Sequence, residues 1–261
     1  MMRALSVAAS GMQAQQTNVE VISNNIANVS TTGFKRSLAE FQDLLYQDSE
    51  RVGTFSSDAG TVLPAGIQLG LGVRNSSIAR VLTQGTLTQT GNNFDLAIDG
   101  RGYFGVQLPD GEIAYTRDGS FKTSQTGQLV TNDGYPVQPS ITIPPNATAV
   151  TINQAGEVIV TDPAGKQTTV GRTQLFLFQN EDGLQAIGGN NFLETVASGN
   201  PLPGLPSTPG YGTVSQGYLE ASNVNVVQEI TNLIQAQRAY ELNSKVIDAA
   251  DQMMQTTTQV R

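Results

Sequence analysis

Apolar residues recur at alternating intervals of three and four at the start of the chain. Leu5, Ala8, Met12, Gln15, Val19, Ile22, Ile26 and Val29 form a heptad seam interrupted once, by Gln15. The spacing predicts one amphipathic helix over the first thirty residues, although the same period also fits an ordinary core-facing helix. Asn28-Val29-Ser30-Thr31-Thr32-Gly33-Phe34 then predicts a turn. Its hydroxyls compete for backbone hydrogen bonds, and Gly33 can adopt a positive φ. Ser37-Leu38-Ala39-Glu40 has the form of a capping box ahead of Phe41, Leu44 and Leu45, which predicts a second, short helix to about Tyr46.

Residues 47–77 lose the helical period. Gly, Ser, Thr and Asp surround Pro64, and Ile67, Leu69, Leu71 and Val73 alternate with polar or glycine positions, so this stretch reads as an extended, partly β connector. From Ile78 to Leu219 the pattern is short alternating runs separated by Asp110-Gly111, Asp118-Gly119, Thr126-Gly127, Asp133-Gly134, Ala155-Gly156, Ala164-Gly165 and Asp182-Gly183. Such pairs suit two-residue hairpin turns, which need positive φ, and they predict an all-β domain. Pro201, Pro203, Pro206 and Pro209 mark an irregular loop. A last helix begins near Asn225 as N-cap and carries Ile230, Leu233, Ile234, Tyr240, Ile247 and Met254 on one stripe, with Glu241 and Lys245 as an i,i+4 pair.

The fold class that follows is α+β. N- and C-terminal helices form a coiled-coil assembly domain, and a central all-β outer domain lies between them in the chain. The expected divisions are 1–46 (N-terminal helical part), 47–77 (connector), 78–220 (β domain) and 221–261 (C-terminal helix).

Composition narrows the function more than the fold. A net charge of −8 with only 14 scattered Lys and Arg leaves no footprint for phosphate neutralisation, so nucleic acid is not an expected partner. No run approaches the roughly 18–20 apolar residues that span a bilayer, so the chain is not expected to be membrane-inserted. Met1 to Ser10 has one cation and small residues but no Leu-rich stretch, and no cleaved signal peptide is expected. With no Cys there is no disulfide framework.

Catalytic chemistry is equally constrained. The absence of His removes Ser/His and Cys/His nucleophiles and the usual zinc sites. Residues three before Lys35, Lys122, Lys166 and Lys245 are Thr32, Gly119, Pro163 and Leu242, so no S-x-x-K motif exists. Gly100-Arg101-Gly102-Tyr103-Phe104-Gly105 matches G-x-G-x-x-G, but a strand-like run follows it where phosphate binding needs a helix, so a hairpin or bulge is expected. Asp95, Asp99, Glu112 and Asp118 could pair across a cleft as glycosidases require, yet acidic residues in hairpin turns are commonplace. No catalytic, cofactor-binding or metal-binding residue is therefore assigned, and no cofactor.

Two stretches are more specific: Asn24-Asn25-Ile26-Ala27-Asn28-Val29-Ser30-Thr31-Thr32-Gly33-Phe34-Lys35-Arg36, and Glu220-Ala221-Ser222-Asn223-Val224-Asn225 running on to Gln237-Arg238-Ala239-Tyr240-Glu241-Leu242-Asn243-Ser244-Lys245. Together they resemble the terminal signatures of bacterial flagellar rod and hook proteins. Asp95 to Phe104 and Tyr115 to Phe121 look like the β domain of that family, so the resemblance spans essentially the whole chain. The length, the insertion around Tyr46-Gln47 through Leu63-Pro64, and Tyr211 to Tyr218 look most like the distal rod members, with the proximal rod and hook-type members as the alternative. The resemblance implies a non-enzymatic axial protein, exported unfolded through the flagellar export apparatus and polymerised into a drive shaft crossing the periplasm. Its implied partners are copies of itself, other rod proteins, the hook protein and the surrounding basal-body rings. A secreted polysaccharide-acting enzyme or a trimeric adhesin explains neither signature.

On that reading Leu5, Met12, Val19, Ile22, Ile26, Phe34, Ile230, Leu233, Tyr240, Ile247 and Met254 supply apolar assembly contacts. Asn25, Asn28 and Arg238 satisfy polar groups between subunits, and Gly33, Gly100 and Gly102 are turn positions.

Overall fold

The computed structural model describes residues 2–50 and 66–259. Leu63-Pro64 and most of the insertion singled out above lie outside those residues. The chain forms two compact units, one of residues 1–27, 37–80 and 225–261, the other of residues 28–36 and 81–224.

The first unit contains both long helices, α1 (Met2–Ala27) and α2 (Val226–Gln259). They run antiparallel, since Asn25 bonds Glu229 near one end while Gly11 lies against Asn243 further along. Helix α1 stops at Ala27, and the turn follows as expected: Thr31 N–H donates to Asn28 O at 3.2 Å, and Gly33 takes φ +68°. Helix α2 is capped by Asn225, whose Oδ1 accepts from Val227 N at 3.1 Å and Gln228 N at 3.3 Å. An amide side chain there satisfies donors that the first turn leaves without a partner.

The expected short helix over 37–46 is not formed. Ser37–Asp43 is a strand, β1, antiparallel to Val73–Arg80. A ten-residue helix is marginal without tertiary support, and here a partner strand is available. Ser37, the supposed cap, has its own N–H and carbonyl engaged by the Asn25 side chain, at 2.9 and 2.8 Å. Glu40 faces across the ladder, accepting from the Ser77 hydroxyl, instead of turning back on a helix end. Next along the chain, β2 (Tyr46–Glu50) pairs with β3 (Ile67–Gly70), and β4 is the Val73–Arg80 strand. The expectation of a partly β connector therefore meets two antiparallel pairs.

The second unit is all β apart from one short 3₁₀ turn, Glu181–Gly183. Its largest sheet runs in the order Gln185–Gly188, Asn191–Leu193, Ile113–Thr116, Tyr103–Gln107, Leu175–Leu177, Leu202–Gly204, with Val137–Gln138 also on the Tyr103–Gln107 strand. Every pairing is antiparallel, as short hairpin connections require. Alternation shows plainly in Glu157–Thr161, where Val158 and Val160 are buried and their neighbours are half-exposed. Leu96, Ile98, Phe104, Phe121, Leu175 and Val214 anchor the main core.

Glycine plays two roles in the turns. Gly111, Gly127, Gly134, Gly156 and Gly165 have φ between +77° and +89°, the left-handed conformation the turn pairs anticipated. Gly119 and Gly183 do not have positive φ, and the reason for glycine there is proximity. A Cβ on Gly119 would lie 1.6 Å from Leu96 O, and one on Gly183 would lie 2.7 Å from Ala197 C.

A second core is aromatic: Tyr103, Tyr115, Phe176 and Phe178, with the Tyr115 and Phe178 rings edge to face at 4.7 Å. Burial, helped by the charge of Glu194, pushes the Tyr115 phenol up to about 12. The unfolded chain, with a tyrosine near 10, loses this proton first. Stability therefore falls as pH rises from about 10 to about 12, by up to about 1.4 kcal/mol per pH unit from this group. Urea midpoints measured across that window are expected to show a shallower slope in Tyr115→Phe than in the parent. Equal slopes would mean that Tyr115 is not the group responsible.

Candidate assembly surface

The inner faces of the helix pair are made largely of small or polar side chains, with Val21 and Ile22 as the larger apolar members. On α1 they are Ala8, Ala14, Val21, Ile22 and Asn25, and on α2 Glu229, Ala236 and Ala250. Small residues let two backbones approach closely, and the contact of Gly11 with Asn243 is so tight that a Cβ would meet Asn243 Nδ2 at 2.8 Å. The single apolar stripe expected on α2 is thus divided. Leu233, Ile247 and Met254 are half-buried, while Ile230, Ile234 and Tyr240 are exposed by 44–45%. Val227, Leu242, Val246 and Met253 join them outside at 47–75%.

The remaining sequence-predicted positions sort in the same way. Leu5, Met12, Val19 and Ile26 are half-buried on α1, and Arg238 is exposed on α2. Ile22 and Asn25 lie inside the unit. Asn28 and Phe34 belong to the turn in the β unit and are half-buried there. Strands β1 to β3 add a further apolar surface, with Phe41, Leu45, Tyr46, Ile67 and Leu69 exposed. Apolar side chains of this size facing water are the kind of which contact surfaces between proteins are made.

Asn25 is fully buried and does more than its place in the seam suggests. Its Nδ2 donates to Ser37 O and, at 3.3 Å, to Glu229 Oε2, while its Oδ1 accepts from Ser37 N. One side chain thereby holds α1, the start of β1 and α2 together.

In the β unit, a cluster that the sequence reasoning did not assign is centred on Glu220, which is 2% exposed. Its Oε1 accepts from Lys35 Nζ and from Gly85 N at 2.9 Å. Its Oε2 accepts from Arg117 Nε and pairs with Arg117 Nη2, both at 2.9 Å. Lys35 also donates to Thr83 O. Arg117 Nη1 donates to Gly100 O at 2.9 Å and Gly102 O at 2.7 Å. Burial pushes the Lys35 ammonium below its ordinary 10.5, against the opposing pull of Glu220.

The two glycines of the G-x-G-x-x-G run, at φ +108° and +140°, therefore turn carbonyls toward a guanidinium. Phosphate would need N–H groups there, and the run leads into the strand Tyr103–Gln107. Gly33 is fixed by the same cluster: its N–H donates to Glu220 O at 2.8 Å, and a Cβ would lie 2.8 Å from Arg117 C. Asn223 completes the arrangement, accepting from Arg36 N and donating to Val81 O, both at 2.7 Å. The available signal was that Lys35, Arg117, Glu220 and Asn223 each lie in one of the distinctive stretches.

Two of the four carboxylates weighed for glycoside chemistry have other work. Asp95 accepts from the Thr90 hydroxyl and Asn92 Nδ2, and Asp118 accepts from Ser120 N in its own turn. Among the described residues no helix is long and apolar enough to cross a membrane.

Three protein families match successive parts of the chain. Residues 5–35 match the flagella basal body rod protein family, residues 97–160 the flagellar hook protein FlgE/F/G D1 domain, and residues 215–260 the flagellar basal body rod FlgEFG protein C-terminal region. The chain is 59% identical to the flagellar basal-body rod protein FlgG of Caulobacter vibrioides over 261 residues, the full length of both. It is 52% identical, again over the full length of both, to FlgG of Buchnera aphidicola from Schizaphis graminum. The rod protein FlgF of Caulobacter vibrioides is 37% identical over 94% of the chain and 92% of its own length.

Proposed function

We propose, from the premise that the chain belongs to the flagellar basal-body rod protein family, that it polymerises through its helical unit into the rigid shaft carrying torque toward the hook. It is a structural subunit of the distal rod. Identity of 59% to FlgG against 37% to FlgF of the same organism supports the distal over the other rod branch.

The observation that carries the assembly reading is the inverted character of α2. Alanine faces inward and the large side chains Val227, Ile230, Ile234, Leu242 and Val246 face water. Full burial of such a side chain is worth about 1.5–3 kcal/mol, and the share belonging to the 45–75% of each that is exposed is available only against a neighbour. Leu5, Met12, Val19, Ile26, Leu233, Tyr240, Ile247 and Met254 flank that surface and join the contact. Ile22 and Asn25 act from within by fixing the helix pair. The exposed residues of β2 and β3 brace one subunit against the next, and the β unit supplies lateral contacts that stiffen the shaft.

The partners that follow are copies of this chain, other axial proteins including the hook, and the rings around the shaft. The chain reaches its place in the periplasm through the flagellar export apparatus.

Amide hydrogen exchange tests this reading. Residues 1–45 and 222–261 are expected to gain protection of at least about tenfold between dilute monomer and seeded polymer, with the β unit little changed. Equal protection of the terminal segments in both states would show a self-contained domain and sink the assembly reading.

A further inference from the structure

A groove of about 370 Å³ lies between the helices, lined by Gln16, Val19 and Glu20 of α1 and Gln237, Tyr240 and Glu241 of α2. Its chemistry is unusual for an apolar seam. Val19 and Tyr240 provide apolar surface, while Glu20 and Glu241 bring two carboxylates. Gln16 Nε2 donates to Glu20 Oε1 at 3.2 Å, which leaves the other carboxylate oxygen available. An aromatic ring and two acids lining one groove suit a guanidinium, which can stack on a ring and donate to carboxylates.

The chain carries a cation placed to enter such a groove on another copy. Arg238 is exposed and makes no hydrogen bond or ion pair with another described residue. It is not part of the groove wall, because one residue along a helix is a rotation of about 100° away from Gln237. Ile234 and Leu242, four residues before and after it, are exposed by 45% and 62% and would pack on the groove's rim. Lys245 is less suited, with two acids of its own helix at one-turn spacing, Glu241 and Asp248, against one, Glu241, for Arg238.

We propose that the Glu20–Tyr240–Glu241 groove of one subunit receives Arg238 of a second copy of this chain. Taken head to tail, as the self-assembly reading requires, the contact is heterologous, and repeating it generates an open polymer; a reciprocated contact would close a dimer. This inference rests on the self-assembly reading and adds to it the pair of sites that sets register.

The absence of cysteine from the chain makes cross-linking unambiguous. Gln16→Cys, which gives up the hydrogen bond to Glu20, and Leu242→Cys, made in separate proteins, keep Arg238 and both carboxylates. Mixed and polymerised under oxidising conditions, the two are expected to give mixed dimers several-fold in excess of either homodimer. In the parent background, Arg238→Glu is expected to raise the critical concentration for polymerisation on the order of tenfold, as loss of a close charge pair does. Glu20→Lys and Glu241→Lys added to Arg238→Glu restore it. Far-ultraviolet circular dichroism separates lost contacts from lost helix; for a charge variant that does not fold, the cross-link decides alone. Sedimenting polymer without mixed dimers, or an unchanged critical concentration in folded Arg238→Glu, overturns the groove assignment and leaves self-assembly standing. A mixture that never sediments overturns both.

Discussion

Replacing Glu220 by Gln is expected to lower the stability of the β unit by about 3–5 kcal/mol. The carboxylate is the one acceptor shared by Lys35, Arg117 and Gly85 N, and both cations are buried. Glutamine matches its shape but removes the negative charge and turns an N–H₂ group toward donors. Two positive charges then stay out of water with only carbonyl dipoles to offset them, Thr83 O for the lysine and Gly100 O and Gly102 O for the arginine. Lys35→Met is expected to cost distinctly less, because Glu220 keeps Arg117 and Gly85. Urea unfolding followed by near-ultraviolet tyrosine signals, in a chain without Trp, gives both values. A Glu220→Gln loss below about 1 kcal/mol, the range of an exposed pair, would show that the cluster is not the clamp described.

The same cluster explains why the distinctive stretches are spread so far along the chain. Residues 33–36, 83–85, 100–102, 117 and 220–223 all meet at it, and several of these flank the points where the chain passes between its two units. Local signals found what is local. The heptad seam gave α1, Asn225 gave the start of α2, and five of the seven glycine pairs gave turns with positive φ. Strand β1 was misread because its capping-box letters are a local signal, whereas its pairing with Val73–Arg80 is not. Spacing does not show which residues of α2 face α1, because periodicity weighs size and apolarity. The alanines and the buried Glu229 that face α1 carry little of either. The Lys35–Glu220–Arg117 contacts join residues 103 and 185 positions apart, beyond the reach of spacing arguments.

Asn25→Ala is expected to destabilise the helical unit by about 3 kcal/mol, and Asn25→Asp by at least as much at neutral pH. Alanine leaves Ser37 N–H and Ser37 O without the partners they now have at 2.9 and 2.8 Å, and takes a donor from Glu229. Each buried group so orphaned costs about 1–3 kcal/mol. Aspartate keeps the acceptor for Ser37 N but replaces the amide donor by oxygen, which then faces both Ser37 O and the Glu229 carboxylate. That crowding of acceptors raises the new carboxyl's pKa in the folded state above the ordinary value of about 3.9. An acid raised on folding stabilises least where the unfolded chain is ionised and the folded one resists ionisation. The penalty of Asn25→Asp therefore grows as pH rises through about 4 and shrinks again on acidification, whereas that of Asn25→Ala lacks this added dependence. Helix loss followed by circular dichroism in urea at several pH values separates the two. Matching pH profiles would mean that the buried amide acts only as filler, and that the joint between α1, β1 and α2 depends on packing alone.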